Sequence, residues 1–147
     1  LGQISTHAGL FATAEDLAVL AQMLINKGIY KHHRFLSPQT IKRWTTRQNL
    51  PPGSERALGW DTPSDEKSSA GDYFSMGSYG HLGFTGTSIW IDPNRKIAVI
   101  LLSNRVHPTR ERGGMYQVRR DFHNALMRNL LGIKNEEIPQ TEVNRVN

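Results

Sequence analysis

Residues 77–104 read GSYGHLGFTGTSIWIDPNRKIAVILLSN, and the fold turns on them. The stretches "TSIWI" and "KIAVILLSN" are strand-forming, and "DPNR" between them is a good type I turn sequence. The second strand is apolar on both faces, which reads as a central strand. Ahead of the pair, Gly77, Gly80, Gly83 and Gly86 recur at every third position. Glycine inside a strand packs nothing and often marks close approach by a ligand or another backbone. If residues 79–87 form a strand, His81, Gly83, Thr85 and Thr87 share one polar, nearly bare face. Leu82, Phe84, Gly86 and Ser88 share the other, which carries the large apolar groups for the core. The face with His81 and Gly83 is then a candidate substrate-facing edge. A flexible glycine loop before an ordinary strand fits the residues equally well. The run is too short and too poor in proline for collagen. A phosphate loop is not expected, because a strand rather than a helix follows and no Lys–Ser/Thr pair does.

Working outward, "TAEDLAVLAQMLINKG" predicts an amphipathic helix. Thr13 is its N-cap, Glu15 and Asp16 suit the first turn, and Gly28 is the expected stop. Leu17, Leu20, Ala21, Leu24 and Ile25 fall at helical spacing. "LSPQTIKRWTT" predicts a second helix, with Ser37 as cap, Pro38 at the first helical position, and Ile41 and Trp44 as its stripe. Residues 47–57 and 61–76 read as loops, with "ALGW" between them as a candidate short strand. "MYQVRRDFHNALMRNLLG" predicts a closing helix with Val118, Phe122, Ala125, Leu126 and Leu130 buried. The order predicts an α/β or α+β piece, an antiparallel meander packed by helices. Residues 1–132 are expected to form the ordered part and residues 133–147 a polar, flexible tail.

The chain has 147 residues, 37% of them hydrophobic, which suffices for one domain with a modest core. It begins at Leu1 with no basic-then-apolar leader, and is expected to be an excised or processed piece. No apolar run is long enough to cross a membrane as a helix. Cysteine is absent, which removes disulfides, thiol catalysis and thiolate metal sites from this chain. The net charge of +5 permits attraction to nucleic acid, anionic lipid or anionic substrates. The Lys and Arg residues are scattered, apart from a modest cluster between Arg105 and Arg120, so most read as solvated surface. No recognised nucleic-acid motif or aromatic–basic interleaving is present, and no nucleic-acid partner is expected.

Three segments carry a family resemblance: "HAGLFATAEDLAVLAQMLINKG", "LGW" and "GHLGFTGTSIWIDPNRKIAVILLSNRVHP". Together they resemble the C-terminal portion of the serine β-lactamase and penicillin-binding protein superfamily. The nearest likeness is to its class C-like members, which include esterases and D-Ala-D-Ala carboxypeptidase-like proteins. The resemblance covers roughly residues 7–131. It implies a serine hydrolase that forms an acyl-enzyme with an ester, a D-Ala peptide or a β-lactam. It implies no cofactor and a periplasmic or other extracytoplasmic setting.

That family uses Ser-x-x-Lys, Tyr-x-Asn and Lys-Thr-Gly or His-x-Gly motifs. His81-Leu82-Gly83 matches the third. The resemblance implies that His81 faces the nucleophile, that Gly83 leaves room for substrate, and that the Phe84 N–H is one of two oxyanion donors. Thr85 is implied to touch substrate. The resemblance places Arg112 where class C-like relatives bind the substrate carboxylate, a role that suits the arginine fork, and a surface arginine near a helix start fits the residue equally well. Thr109 stands where β-lactamases of that class usually carry Asn. No Tyr-x-Asn occurs. One Ser-x-x-Lys occurs, Ser64 to Lys67, but in a polar loop and close before His81, not at the head of a buried helix. It is expected to be a decoy, with the nucleophile in a missing N-terminal part of the same protein, and the chain alone is expected to be inactive. The alternative is a non-catalytic binding module, for peptidoglycan peptides or for nucleic acid. His7 precedes the first helix and reads as a loop histidine near the rim. His32 with His33, His107 and His123 lack ligand spacing, so no metal is expected.

Overall fold

Thr13 and Ser37 each open a helix in the way their side chains allow. The computed structural model describes residues 8–64, 67–111 and 113–133. Helix α1 spans Ala14–Ile25, and Thr13 Oγ1 accepts the Asp16 N–H at 3.2 Å. Helix α2 spans Pro38–Thr45, and Ser37 Oγ accepts the Thr40 N–H at 3.0 Å. Between them β1 (Ile29–Tyr30) and β2 (His33–Arg34) form a tight hairpin. Gly28 sits before it at φ +90°, where any Cβ would overlap the Leu36 backbone. That position therefore requires glycine on two counts.

The main sheet has three antiparallel strands in the order β3 (Tyr79–Leu82), β4 (Ser88–Asp92), β5 (Ile97–Leu101). Tyr79 lies opposite Ile91, and Trp90 opposite Val99. Alternation sends Tyr79, Ile89, Ile91 and Ala98 to one face, where they pack on Ala21 and Leu24 of α1 and Ile41 of α2. Trp90, Ile97 and Val99 go to the other face, against Ala70, Phe74 and Met127. The last of these belongs to helix α3 (Met115–Leu131). The sheet is thus a middle layer between α1 and α3. Asp92 ends β4 fully buried. Its carboxylate accepts from the Ser75 N–H and hydroxyl, the Asn94 and Arg95 N–H groups and the Arg95 guanidinium. This ties the loop entering β3 to the turn leaving β4.

In the described sheet β4 lies between β3 and β5, and both apolar faces of β5 are covered, by α1 and by the layer containing Met127. Three expectations are corrected. "ALGW" is a turn, not a strand. The Ala57 N–H meets Trp60 O at 2.9 Å, and only isolated bridges link Arg56 to Asp61 and Asp61 to Gly80. The strand at residues 79–87 stops at Leu82, because the chain turns there to pair β3 with β4.

Helix α3 presents a different face from the one expected. Arg119, His123 and Met127 are buried, one helical turn apart, while Val118 is 54% and Leu130 58% exposed. Phe122 is also exposed, Ala125 likewise, and Leu126 is half-buried against the core. The polar pair wins the inner face because each member finds buried partners there. His123 Nδ1 lies 2.8 Å from Ser69 O, and Arg119 reaches three backbone carbonyls. A second apolar stripe is left outward.

Candidate active site at the end of strand β3

His81 stands near the end of β3 with its ring exposed. Its Nδ1 lies 2.9 Å from Leu82 O. A carbonyl oxygen only accepts, so Nδ1 carries the proton in the neutral ring and Nε2 keeps its lone pair. Nε2 has no partner among the described residues. That lone pair is able to accept a proton or a hydrogen bond from a molecule at the strand end.

Beyond Leu82 the chain makes a closed hairpin over residues 83–87. The Gly83 N–H donates to Thr87 O at 2.8 Å and the Gly86 N–H to Gly83 O at 3.0 Å. Gly86 has φ +105°, and a Cβ there would crowd Ser103 Oγ and the Arg105 side chain. Phe84 lies at the tip, 66% exposed, beneath the Arg105 guanidinium at 4.6 Å from its ring centre. The expectation that Phe84 points into the core is therefore wrong, since the chain has left the strand before reaching it. The Phe84 N–H has no acceptor among the described residues. Thr85 is exposed beside it, and its carbonyl accepts the Arg105 N–H at 2.8 Å.

Gly83 is also placed differently from expectation. The direction a side chain would take is not open: a Cβ would strike Thr87 Oγ1 and sit 3.4 Å from Thr87 Cβ. Turn closure, rather than a bare face, explains this glycine in the present conformation. His81, Gly83, Phe84 and Thr85 thus gather at one end of the sheet. Arg112 and His7 lie outside the described residues, as do Asp65, Glu66 and residues 134–147 of the tail. Ser64 is half-buried in a loop, and no helix begins between residues 67 and 78.

Sequence reasoning missed two side chains at this site. Arg119 of α3 is buried and donates from Nη2 to Gly83 O at 2.6 Å and Thr87 O at 2.9 Å, and from Nε to Gly86 O at 3.2 Å. Arg105, just after β5, donates from Nε to Phe84 O at 2.7 Å. Burial, and then the nearby Arg105 charge, lower the Arg119 pKa. The available signal was Arg119 and His123 at i, i+4, a polar pair that can share one helix face.

His123 makes a Ser–His contact, its Nε2 lying 3.4 Å from Ser88 Oγ. Both side chains are sealed from solvent, so this pair is core structure rather than a nucleophile and base. Burial pushes the imidazole pKa down, the bond to Ser69 O opposes this, and the Arg119 charge adds to the lowering. The Tyr79 phenol is pushed up to about 12 by burial and stays protonated. No group of metal-ligating side chains comes together among the described residues. No described helix is long and apolar enough to cross a membrane.

Comparison with known proteins decides the family. The Beta-lactamase family model matches residues 2–124. The chain belongs to the Beta-lactamase family. A protein of Salmonella gallinarum described as a putative D-alanyl-D-alanine carboxypeptidase is 36% identical over 109 residues, covering 73% of this chain and 25% of that protein. Proteins of Salmonella paratyphi B and Salmonella newport with the same description match to the same extent. The chain therefore spans about a quarter of the length of these relatives. Membership of the Beta-lactamase family places it in the serine hydrolase superfamily. The antiparallel sheet packed between helices agrees with a part of such a fold.

Proposed function

We propose that this chain is the C-terminal part of a serine hydrolase module acting by acyl transfer on an ester, a D-alanyl peptide or a β-lactam. The observation that carries the reading is the pairing of an exposed His81 with an unpartnered Phe84 N–H at the end of β3, in a member of the Beta-lactamase family. In the proposed reaction a serine oxygen from the remainder of the protein attacks the substrate carbonyl carbon. The carbonyl oxygen takes up the negative charge and accepts the Phe84 N–H, the nucleophile's own N–H being the second donor. The leaving group departs with the serine proton. Water then hydrolyses the ester and restores the serine. His81 Nε2 accepts a hydrogen bond from the substrate or from the proton-transfer group.

Two features support a larger domain. The outward stripe of α3, with Val118, Phe122 and Leu130, has no cover among the described residues. An apolar cavity of about 360 Å³ opens between α1 and α2, lined by Leu20, Leu24, Ile41, Trp44 and Trp60 among others. Exposed apolar surface of this kind is usually covered by other protein. The relatives' greater length supplies the chain to do so.

The test is covalent labelling with a fluorophosphonate and a fluorescent penicillin. The complete protein should take up one of them at a serine outside this chain, and the 147-residue chain alone should take up neither. Stoichiometric labelling of Ser64 would refute the assignment of the nucleophile. A complete protein that binds a D-alanyl peptide but is never labelled would be the binding module instead.

A further inference from the structure

Every carbonyl from Gly83 to Thr87 is held by a protein donor. Gly83 O, Gly86 O and Thr87 O accept from Arg119. Phe84 O accepts from the Arg105 side chain and Thr85 O from the Arg105 N–H. Gly83 O and Thr87 O also accept the Gly86 and Gly83 N–H groups within the hairpin. The N–H groups of Phe84 and Thr85 have no acceptor among the described residues. With five successive carbonyls drawn toward the two arginines, these N–H groups remain available at the tip. Arg119 is the buried member of the pair, and no carboxylate partners it among the described residues. A buried guanidinium with no acid costs stability, and three carbonyl bonds offset that cost only in one hairpin geometry.

We propose that Arg119 is a positioning residue: from α3 it fixes the hairpin so that the Phe84 N–H is held ready as a donor. This rests on the acyl-transfer reading above for its purpose, but not for its geometry. Lysine keeps the charge and loses the planar fork that bridges several carbonyls, so Arg119→Lys isolates the fork. A side chain that only filled the core would loosen the sheet as a whole. A clamp would loosen the hairpin alone.

The geometry is tested by amide hydrogen exchange on the complete protein. In Arg119→Lys the Gly83 and Gly86 amides should exchange at least about tenfold faster, while Ile91 and Val99 at the sheet centre keep their rates. Unchanged hairpin exchange, or equal acceleration in β4 and β5, overturns the proposal. If Arg119→Lys does not fold, Arg119→Gln carries the same readout, and failure of both to fold overturns the local role. In the complete protein, Arg119→Lys should slow acylation by about a hundredfold with substrate affinity unchanged. Equal losses of both would make Arg119 a structural residue. A complete protein that never acylates, with hairpin exchange still accelerated as expected, would sink the acyl-transfer reading and leave the clamp standing.

Discussion

Asp92→Asn should be among the most damaging conservative substitutions in this chain. The two carboxylate oxygens divide the work. Oδ1 accepts from the Ser75 hydroxyl at 2.9 Å, the Asn94 N–H at 3.0 Å and the Arg95 N–H at 3.1 Å. Oδ2 accepts from the Ser75 N–H at 3.0 Å and Arg95 Nη1 at 2.7 Å. Asparagine can keep the Oδ1 set, but its amide NH2 then faces two donors. Stranding a buried N–H costs about 1–3 kcal/mol, and a bond between charged groups is worth about 1.5–3 kcal/mol. The Arg95 side chain is 38% exposed and returns to water when released, so its share falls at the low end. The sum is about 3 kcal/mol, a drop of roughly 6–12 °C in melting temperature for a chain of this size. Thermal unfolding followed by circular dichroism measures it. Burial alone would raise the Asp92 carboxyl, but its bonds from Ser75 and Arg95 outweigh that and hold it below the usual carboxylate range. Its contribution is therefore complete above the unfolded value and is lost as pH falls through the folded one. The gap between parent and variant should close in strong acid. A variant melting within 2 °C of the parent at neutral pH would refute the argument.

Two further substitutions test the site and the core. Gly83→Ala should destabilise the hairpin by about 1–3 kcal/mol, because its Cβ meets Thr87 Oγ1. Thr87→Ala in the same chain should recover most of that loss, and a double variant no more stable than Gly83→Ala would show that the crowding lies elsewhere. His123 is held below its ordinary pKa chiefly by burial, so its neutral form stabilises the fold fully above the unfolded pKa and progressively less below it. Denaturant melts at pH 7, 6 and 5 should show the parent weakening and His123→Gln responding less, and parallel slopes would refute that role.

Local signals were legible in the sequence wherever neighbours along the chain decide the outcome. Thr13 and Ser37 cap their helices as read, because a cap bond spans only three residues. The turn at "DPNR" joins β4 to β5 as read, because Asp92 bonds its own downstream N–H groups. The family likeness and the antiparallel sheet packed by helices were legible for the same reason, since "GHLGFTGTSIWIDP" is one continuous string. What the sequence could not settle was direction. Helix α3 has two competing stripes, and only the position of Ser69, Ser88 and the hairpin chooses the one with Arg119 and His123. Glycine at 83 announced a close approach, but not whether substrate or Thr87 makes it. The grip of Arg119 on three carbonyls joins residues more than thirty positions apart, and the outward Phe84 is held by Arg105, 21 positions on. Such contacts follow from how the layers stack, which a local pattern does not encode.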